Sequence, residues 1–312
     1  MSLAAAIEPS AELLTLLQKV PVFSGKKLDI VPVSGGLTNV NWRVDVCDDG
    51  AEDRAYFVKV PGPGTDEFIN RATVYAASTQ AASMGVGPEV FFFDPETGIE
   101  IDEFLGGYKP CTTADLARGE ISDQVVELYR KWHAGAALPE TKTMLDLVDE
   151  HREQVQRDGT AVPSWVNQLL VTYDEAAARF RASGLDIVPC HNDAMPGNYM
   201  RAPARSMRLI DYDYASNNER AYELGGFVCE FFFDREQTRH AIEVYFGRCD
   251  PELWSRVQVC RVIADVKWGL WGLVNAVAWN SDFDYYKYGL WKLKRADFFS
   301  HDPDWADDLG SI

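Results

Sequence analysis

The spacing of apolar positions changes character along the chain. Over residues 5–20, Ala5, Leu13, Leu14, Leu17 and Val20 recur at helical intervals, and Pro21 ends the run. From Ile30 the period shortens. Residues 30–33, 40–46 and 55–60 read as strands, with Val40, Trp42, Val44 and Val46 on one face of the second. An alanine-rich helix follows over 68–84, stopped by Gly85-Val86-Gly87-Pro88, and 90–93 and 98–104 form a strand pair around Asp94-Pro95. Beyond Leu105-Gly106-Gly107 the helical period dominates, over 123–137, 144–156, 164–183, 222–233, 237–246 and 251–280. Short strand-like pieces at 185–190 and 207–214 flank a polar loop, and the acidic stretch 302–308 reads as a solvated tail. The pattern predicts an α+β fold in two lobes. Residues 1–104 form a small antiparallel β-rich lobe with one inserted helix, and 105–312 form a large, mainly helical lobe.

Composition narrows the class. Among 312 residues, 46% are hydrophobic and 25% charged, which excludes a disordered chain, a collagen and a coiled coil. The 48 acidic against 30 basic residues give a net charge of -18, which repels nucleic acid and anionic membranes and attracts a small cation. The six cysteines form no CxxC pair, and no apolar run reaches signal-peptide or transmembrane length. A reducing, cytoplasmic setting with free thiols is expected.

Three constellations carry chemistry. In His191-Asn192-Asp193-Ala194-Met195-Pro196-Gly197-Asn198 a carboxylate precedes a carboxamide by five residues. Phosphoryl transfer needs such a pair: Asp193 orients the attacking hydroxyl and Asn198 offers a hard oxygen to Mg²⁺. An ordinary Asx-rich turn is the plainer alternative. In Leu209-Ile210-Asp211-Tyr212-Asp213, Asp211 ends a strand where a second Mg²⁺ ligand would stand. Asp213 lies on the same side of an extended chain, and two like charges there call for a cation. The same acids would also suit an exposed edge strand. Finally, Ser34-Gly35-Gly36-Leu37-Thr38-Asn39 joins two strands and could fold over phosphates, and Lys59 in the third strand could reach them, unless it is surface decoration.

From Val33 to Arg295 the chain resembles the choline/ethanolamine kinases, within the wider aminoglycoside-phosphotransferase-like group of protein-kinase-like fold. The resemblance implies ATP and Mg²⁺ as cofactors. It implies Asp193 as catalytic base, Asn198 and Asp211 as metal ligands, and Asp213 as an acid assisting a second metal. Ser34, Gly35, Gly36, Thr38 and Asn39 would cover the nucleotide phosphates, Lys59 would contact them, and Glu103-Phe104-Leu105 would be the hinge whose backbone meets adenine. One departure stands out. Val74 occupies the helix position where a glutamate is expected to pair with Lys59, and Glu67 is the candidate substitute two turns earlier.

The acceptor segment is equally suggestive. Trp268 and Trp271 share one helical face, and Glu230 sits among phenylalanines. A quaternary ammonium is bound by aromatic faces and a nearby anion. Core packing is the bland reading of the tryptophans. Both runs resemble choline-pocket segments, with Tyr288 as a further wall. The expected activity is phosphorylation of the hydroxyl of a small cationic amino alcohol, choline or ethanolamine. The rivals are kinases of the same fold acting on an aminoglycoside, thiamine or a sugar-like alcohol, and a non-catalytic nucleotide- or amine-binding protein.

Overall fold

The computed structural model describes residues 8–34, 39–47, 54–62, 69–278 and 282–312. Packing divides the chain into two units. The first comprises Met1–Lys109 with Met200–Asp213, the second Pro110–Tyr199 with Tyr214–Ile312.

The first unit is built on an antiparallel sheet. Helix α1 (Ala11–Lys19) is capped by Ser10, whose hydroxyl accepts the Leu13 N–H at 3.1 Å. Strands β1 (Leu28–Val33), β2 (Asn39–Val46) and β3 (Arg54–Pro61) follow, then α2 (Arg71–Ser83), β4 (Val90–Phe93) and β5 (Glu100–Glu103). The order is β1-β2-β3-β5-β4, so the last strand in sequence lies beside β3. Trp42, Val44 and Val46 of β2 point into one core with Leu13, Leu17, Phe23, Tyr56, Val58 and Ile101. Each such side chain contributes about 1.5–3 kcal/mol on burial. Val40 does not join them, being 43% exposed near the strand's start.

Two parts of the second unit matter most. Strands β6 (Ile187–Cys190) and β7 (Ser216–Glu219) pair antiparallel and hold the ends of the polar loop. Helices α4 (Met144–Arg157), α5 (Ser164–Ser183), α6 (Arg220–Glu230) and α7 (Arg235–Phe246) pack on the long α8 (Pro251–Ala278), and α3 (Gly119–His133) packs on α7. Helix α8 is buried nearly all round, and its buried positions include the charged Arg256, Arg261, Asp265 and Lys267.

The chain after α8 departs from expectation. Residues Tyr285–Ser300 form α9, capped by Asp284, which accepts the Lys287 N–H at 2.9 Å. No clean apolar stripe announces this helix, because Tyr, Trp, Lys and Arg fill it. It packs on α8 through glycine: a Cβ added at Gly272 would lie 2.7 Å from the Gly289 Cα. The acidic stretch 302–308 is not a free tail. Trp305–Gly310 forms α10, and its buried Asp308 accepts the Ser255 hydroxyl of α8 at 2.7 Å.

Candidate functional site

In the first unit the chemistry gathers on Lys59. Its position in β3 lies opposite Glu100 of β5, and both side chains are buried. The ammonium lies 2.7 Å from Asp213 Oδ1, 3.3 Å from Asp211 Oδ1 and 3.4 Å from Glu100 Oε2. Burial pushes the lysine pKa down, but Asp213, Asp211 and Glu100 outweigh it and hold it well above the ordinary value. For Asp213, burial acts upward, while Lys59 and the Asn39 amide, donating at 3.0 Å, bring the carboxyl below its ordinary value. Lys59 is thus the cation that the Asp211–Asp213 pair requires.

That pair is not arranged as a strand end. Within 207–214 only Arg208–Leu209 is strand, and Asp211 has φ 68°. A left-handed residue costs about 1–3 kcal/mol and persists where the surroundings over-determine it. Lys59 supplies part of that constraint. Val74 is buried and apolar, so α2 sends no carboxylate from that position; Glu100 meets Lys59 from the neighbouring strand instead. Beside Glu100 on β5, Asp102 is also buried, and burial reinforced by Glu100 pushes its carboxyl well up.

The other predicted nucleotide residues divide. Gly35, Gly36, Thr38 and Glu67 lie outside the described residues. Ser34 is exposed. Glu103 ends β5 exposed and its N–H donates to Glu89 O at 2.7 Å, while Leu105 O accepts the Tyr108 N–H at 3.1 Å.

In the second unit the loop after β6 is fixed by a residue the sequence reading passed over. Glu223 of α6 accepts the His191 N–H at 2.5 Å and the Asn192 N–H at 2.9 Å, with His133 Nε2 at 3.3 Å. Burial pushes the Glu223 carboxyl up, but His133, His191 and the loop N–H outweigh it and hold it below its ordinary value. Asn192 has φ 67°, and its side-chain amide donates to Tyr214 O and Ser216 Oγ, both at 2.8 Å. Asp193 follows, its N–H donating to His191 Nδ1 at 3.3 Å. Asn198 donates to Asp193 Oδ2 at 2.9 Å and to Asp193 O at 3.2 Å. Its amide nitrogen is thereby committed, and its oxygen is the atom a metal would take. Burial lifts the Asp193 carboxyl, opposed by His191, Lys267 and Asn198.

Asp193, Glu230, Trp268 and Tyr288 line one recess of about 400 Å³, together with Asp265 and Lys292. Trp271 is absent from that lining. It is buried, edge-on to Trp268 with ring centroids 5.3 Å apart, and to Tyr285 at 5.5 Å. Glu230 is not an isolated anion. Lys292 and Arg295 of α9 both pair with its Oε2, and Arg295 grips Asp265 through two bonds of 2.5 and 2.7 Å. Lys267, fully buried, places its Nζ 3.0 Å from the Trp268 ring centroid and 4.6 Å from that of Tyr214. No hydrogen bond reaches that Nζ among the described residues. Burial pushes its pKa well below the ordinary lysine value. Asp265, Lys267, Lys292 and Arg295 stand in sequence as scattered helix charges, and only the apolar residues around them hinted at burial.

A family model described as choline/ethanolamine kinase matches residues 30–246. The choline/ethanolamine kinase of Homo sapiens is 23% identical, over 84% of this chain and 78% of the relative. Among solved structures, a choline/ethanolamine kinase family protein from Mesorhizobium loti superimposes with TM-score 0.81 at 24% identity, covering 96% of this chain and 97% of that one. A choline kinase from Streptococcus pneumoniae reaches TM-score 0.76 at 19% identity, over 97% of this chain and all of that one. These likenesses give the α+β kinase fold, and the family match covers more than half the sequence: the chain belongs to the choline/ethanolamine kinase family.

Proposed function

We propose that the protein transfers the γ-phosphoryl group of ATP to the hydroxyl of a small amino alcohol, choline or ethanolamine, with Mg²⁺ bound. The observation carrying this reading is the recess in which the Asp193 carboxylate shares a wall with Glu230, Trp268 and Tyr288. A base for a hydroxyl and a partly anionic aromatic wall for an ammonium are the two ends of such an acceptor.

The residue roles follow from the donors each presents. Asp193 accepts a hydrogen bond from the acceptor hydroxyl and takes its proton as the O–P bond forms, with ADP leaving. Asn198 holds the Asp193 carboxylate in place through its amide N–H. Glu223 fixes the loop backbone on which both are carried. Lys59 places a positive charge for the nucleotide phosphates, and Ser34 to Asn39 with the Glu103–Leu105 backbone complete the nucleotide contacts. In the first unit the Asp211 and Asp213 carboxylates, and in the second the Asn198 oxygen, are the hard oxygen donors that would suit Mg²⁺. When bound, Mg²⁺ neutralises phosphate charge as it redistributes toward the transition state. Glu230, Trp268 and Tyr288 receive the cationic head, with Trp271 supporting Trp268. Six free cysteines support a reducing compartment, and we place the enzyme in the cytoplasm. Among the described residues no helix is long and apolar enough to cross a membrane.

The test is ADP release with Mg-ATP against choline, ethanolamine, their partly methylated intermediates, thiamine and kanamycin. Asp193→Asn is the blank. Turnover of choline or ethanolamine, lost by at least about a hundredfold in the variant, is expected. Turnover confined to thiamine or kanamycin would overturn the acceptor assignment.

A further inference from the structure

We infer that Glu100 is the positioning residue that holds Lys59 for the nucleotide, replacing the carboxylate that helix α2 lacks. The inference rests on the role of Lys59 proposed above. Lys59 and Glu100 are cross-strand partners in β3 and β5, so their side chains leave the same face of the sheet. The ammonium and Glu100 Oε2 are 3.4 Å apart, with side chains 8% and 3% exposed. Among the described residues Glu100 Oε1 has no hydrogen-bond partner.

Three carboxylates meet Lys59, yet they are not equivalent. Asp211 and Asp213 belong to the segment assigned above to the metal, and a bound cation would compete with Lys59 for their oxygens. Glu100 lies on the sheet outside that segment. It is the carboxylate that stays with the lysine when the other two turn to metal. A strand neighbour also needs no helix movement to form the pair, because the ladder between β3 and β5 fixes both backbones.

The vacated helix position marks the same exchange. Val74 lines a shallow recess together with Asn39, Arg71 and Asp213. A longer acidic side chain at position 74 would enter that recess, beside the Asp213 that already touches Lys59. With Val74 there, the carboxylate outside the Asp211–Asp213 segment that meets Lys59 is Glu100. The chain therefore reaches the same lysine through a different element.

The experiment measures ATP binding by titration calorimetry and steady-state constants for Glu100→Gln, Glu100→Asp and the double variant Glu100→Gln/Val74→Glu. Glu100→Gln is expected to weaken ATP binding and raise the KM for ATP roughly tenfold, the scale of one charge-assisted hydrogen bond. The acceptor KM and the Tm should hold. Val74→Glu should recover most of the loss, because it restores a carboxylate from the helix. Should Glu100→Gln fail to fold, Glu100→Asp takes its place. ATP binding within about twofold of wild type in a folded variant overturns the inference. So does a rise in acceptor KM together with a fall in kcat and Tm that Val74→Glu does not correct, since that is the signature of a merely structural residue. A wild type that binds ATP but phosphorylates no amino alcohol removes the proposed acceptor and leaves the calorimetry to decide Glu100.

Discussion

Replacing Lys267 by methionine should stabilise the protein. The ammonium is fully buried, without a hydrogen bond among the described residues; the rings of Trp268 and Tyr214 lie against it, and the carboxylates of Asp193 and Glu150 attract it without a hydrogen bond. A desolvated cation–π contact is worth about 2 kcal/mol, so two rings return about 4. Against this stands a desolvation penalty of several kcal/mol for one buried ion, with the unmade hydrogen bonds included. Methionine matches the length, removes the charge and recovers about 0.3–1.5 kcal/mol per sulfur–aromatic contact. The balance favours Lys267→Met by about 1–3 kcal/mol at pH 7, or roughly 2–4 °C in Tm per kcal/mol for units of this size. The pH dependence follows from the same burial, which pushes the Lys267 pKa well below the ordinary lysine value. Between that depressed pKa and about 10.4 the unfolded chain binds more protons than the folded one, so wild-type stability rises with pH through this window. The advantage of Lys267→Met should therefore shrink between pH 7 and pH 9.5. Urea denaturation of both proteins at the two pH values measures it. A variant less stable than wild type at pH 7 by more than about 1 kcal/mol would refute the reasoning, by showing that the ring contacts outweigh desolvation. A gap that does not change with pH would refute the assignment of the penalty to the charge.

The two indoles should separate by readout. Trp268→Ala is expected to raise the acceptor KM about tenfold and, by removing one ring over Lys267, to cost about 2 kcal/mol, whereas Trp271→Ala should lose about 3–5 kcal/mol of stability with a smaller rise in acceptor KM; kinetics and denaturation of both variants would expose a reversal. Gly272→Ala puts a Cβ 2.7 Å from the Gly289 Cα and 2.9 Å from Tyr285 O, all backbone. It should cost about 1–3 kcal/mol as α8 and α9 are forced apart, and an unchanged Tm would contradict that packing.

The legible parts of this chain are those whose chemistry is contiguous. Asp193 and Asn198 are five residues apart because one loop carries both, and a short motif suffices to find them. The antiparallel sheet was legible for a similar reason: alternation in β2 and β3 is imposed by one buried face. Helix α9 was hidden because its buried charges, Lys292 and Arg295, break the apolar stripe that a helix on a core would otherwise show. Their burial depends on Glu230 and Asp265, which lie 62 and 30 residues away from Lys292 and Arg295 respectively. Glu100 was hidden likewise. A glutamate in a strand reads as surface until its register opposite Lys59 is known. Buried charges are legible only as pairs, and sequence proximity does not reveal the pair.

The pairing on α9 bears on how the recess attracts a cation. Taken alone, Glu230 would be a strong anion for an ammonium. In the fold, Glu230 and Asp265 are matched by Lys292 and Arg295, so these four groups sum to no net charge. Removing one member would leave an uncompensated buried charge, costing about 3–5 kcal/mol. The quartet is therefore held by its own electrostatics, and in the proposed function Glu230 meets the cationic head as a paired carboxylate rather than a free one. The other acid of the recess, Asp193, is attracted by His191 and Lys267, and the proposed function assigns it to the hydroxyl end. An ammonium two carbons from that hydroxyl gains from Trp268 and Tyr288 without competing for the base. In the proposed function the aromatic wall would orient the acceptor and leave the charge of Asp193 for the proton.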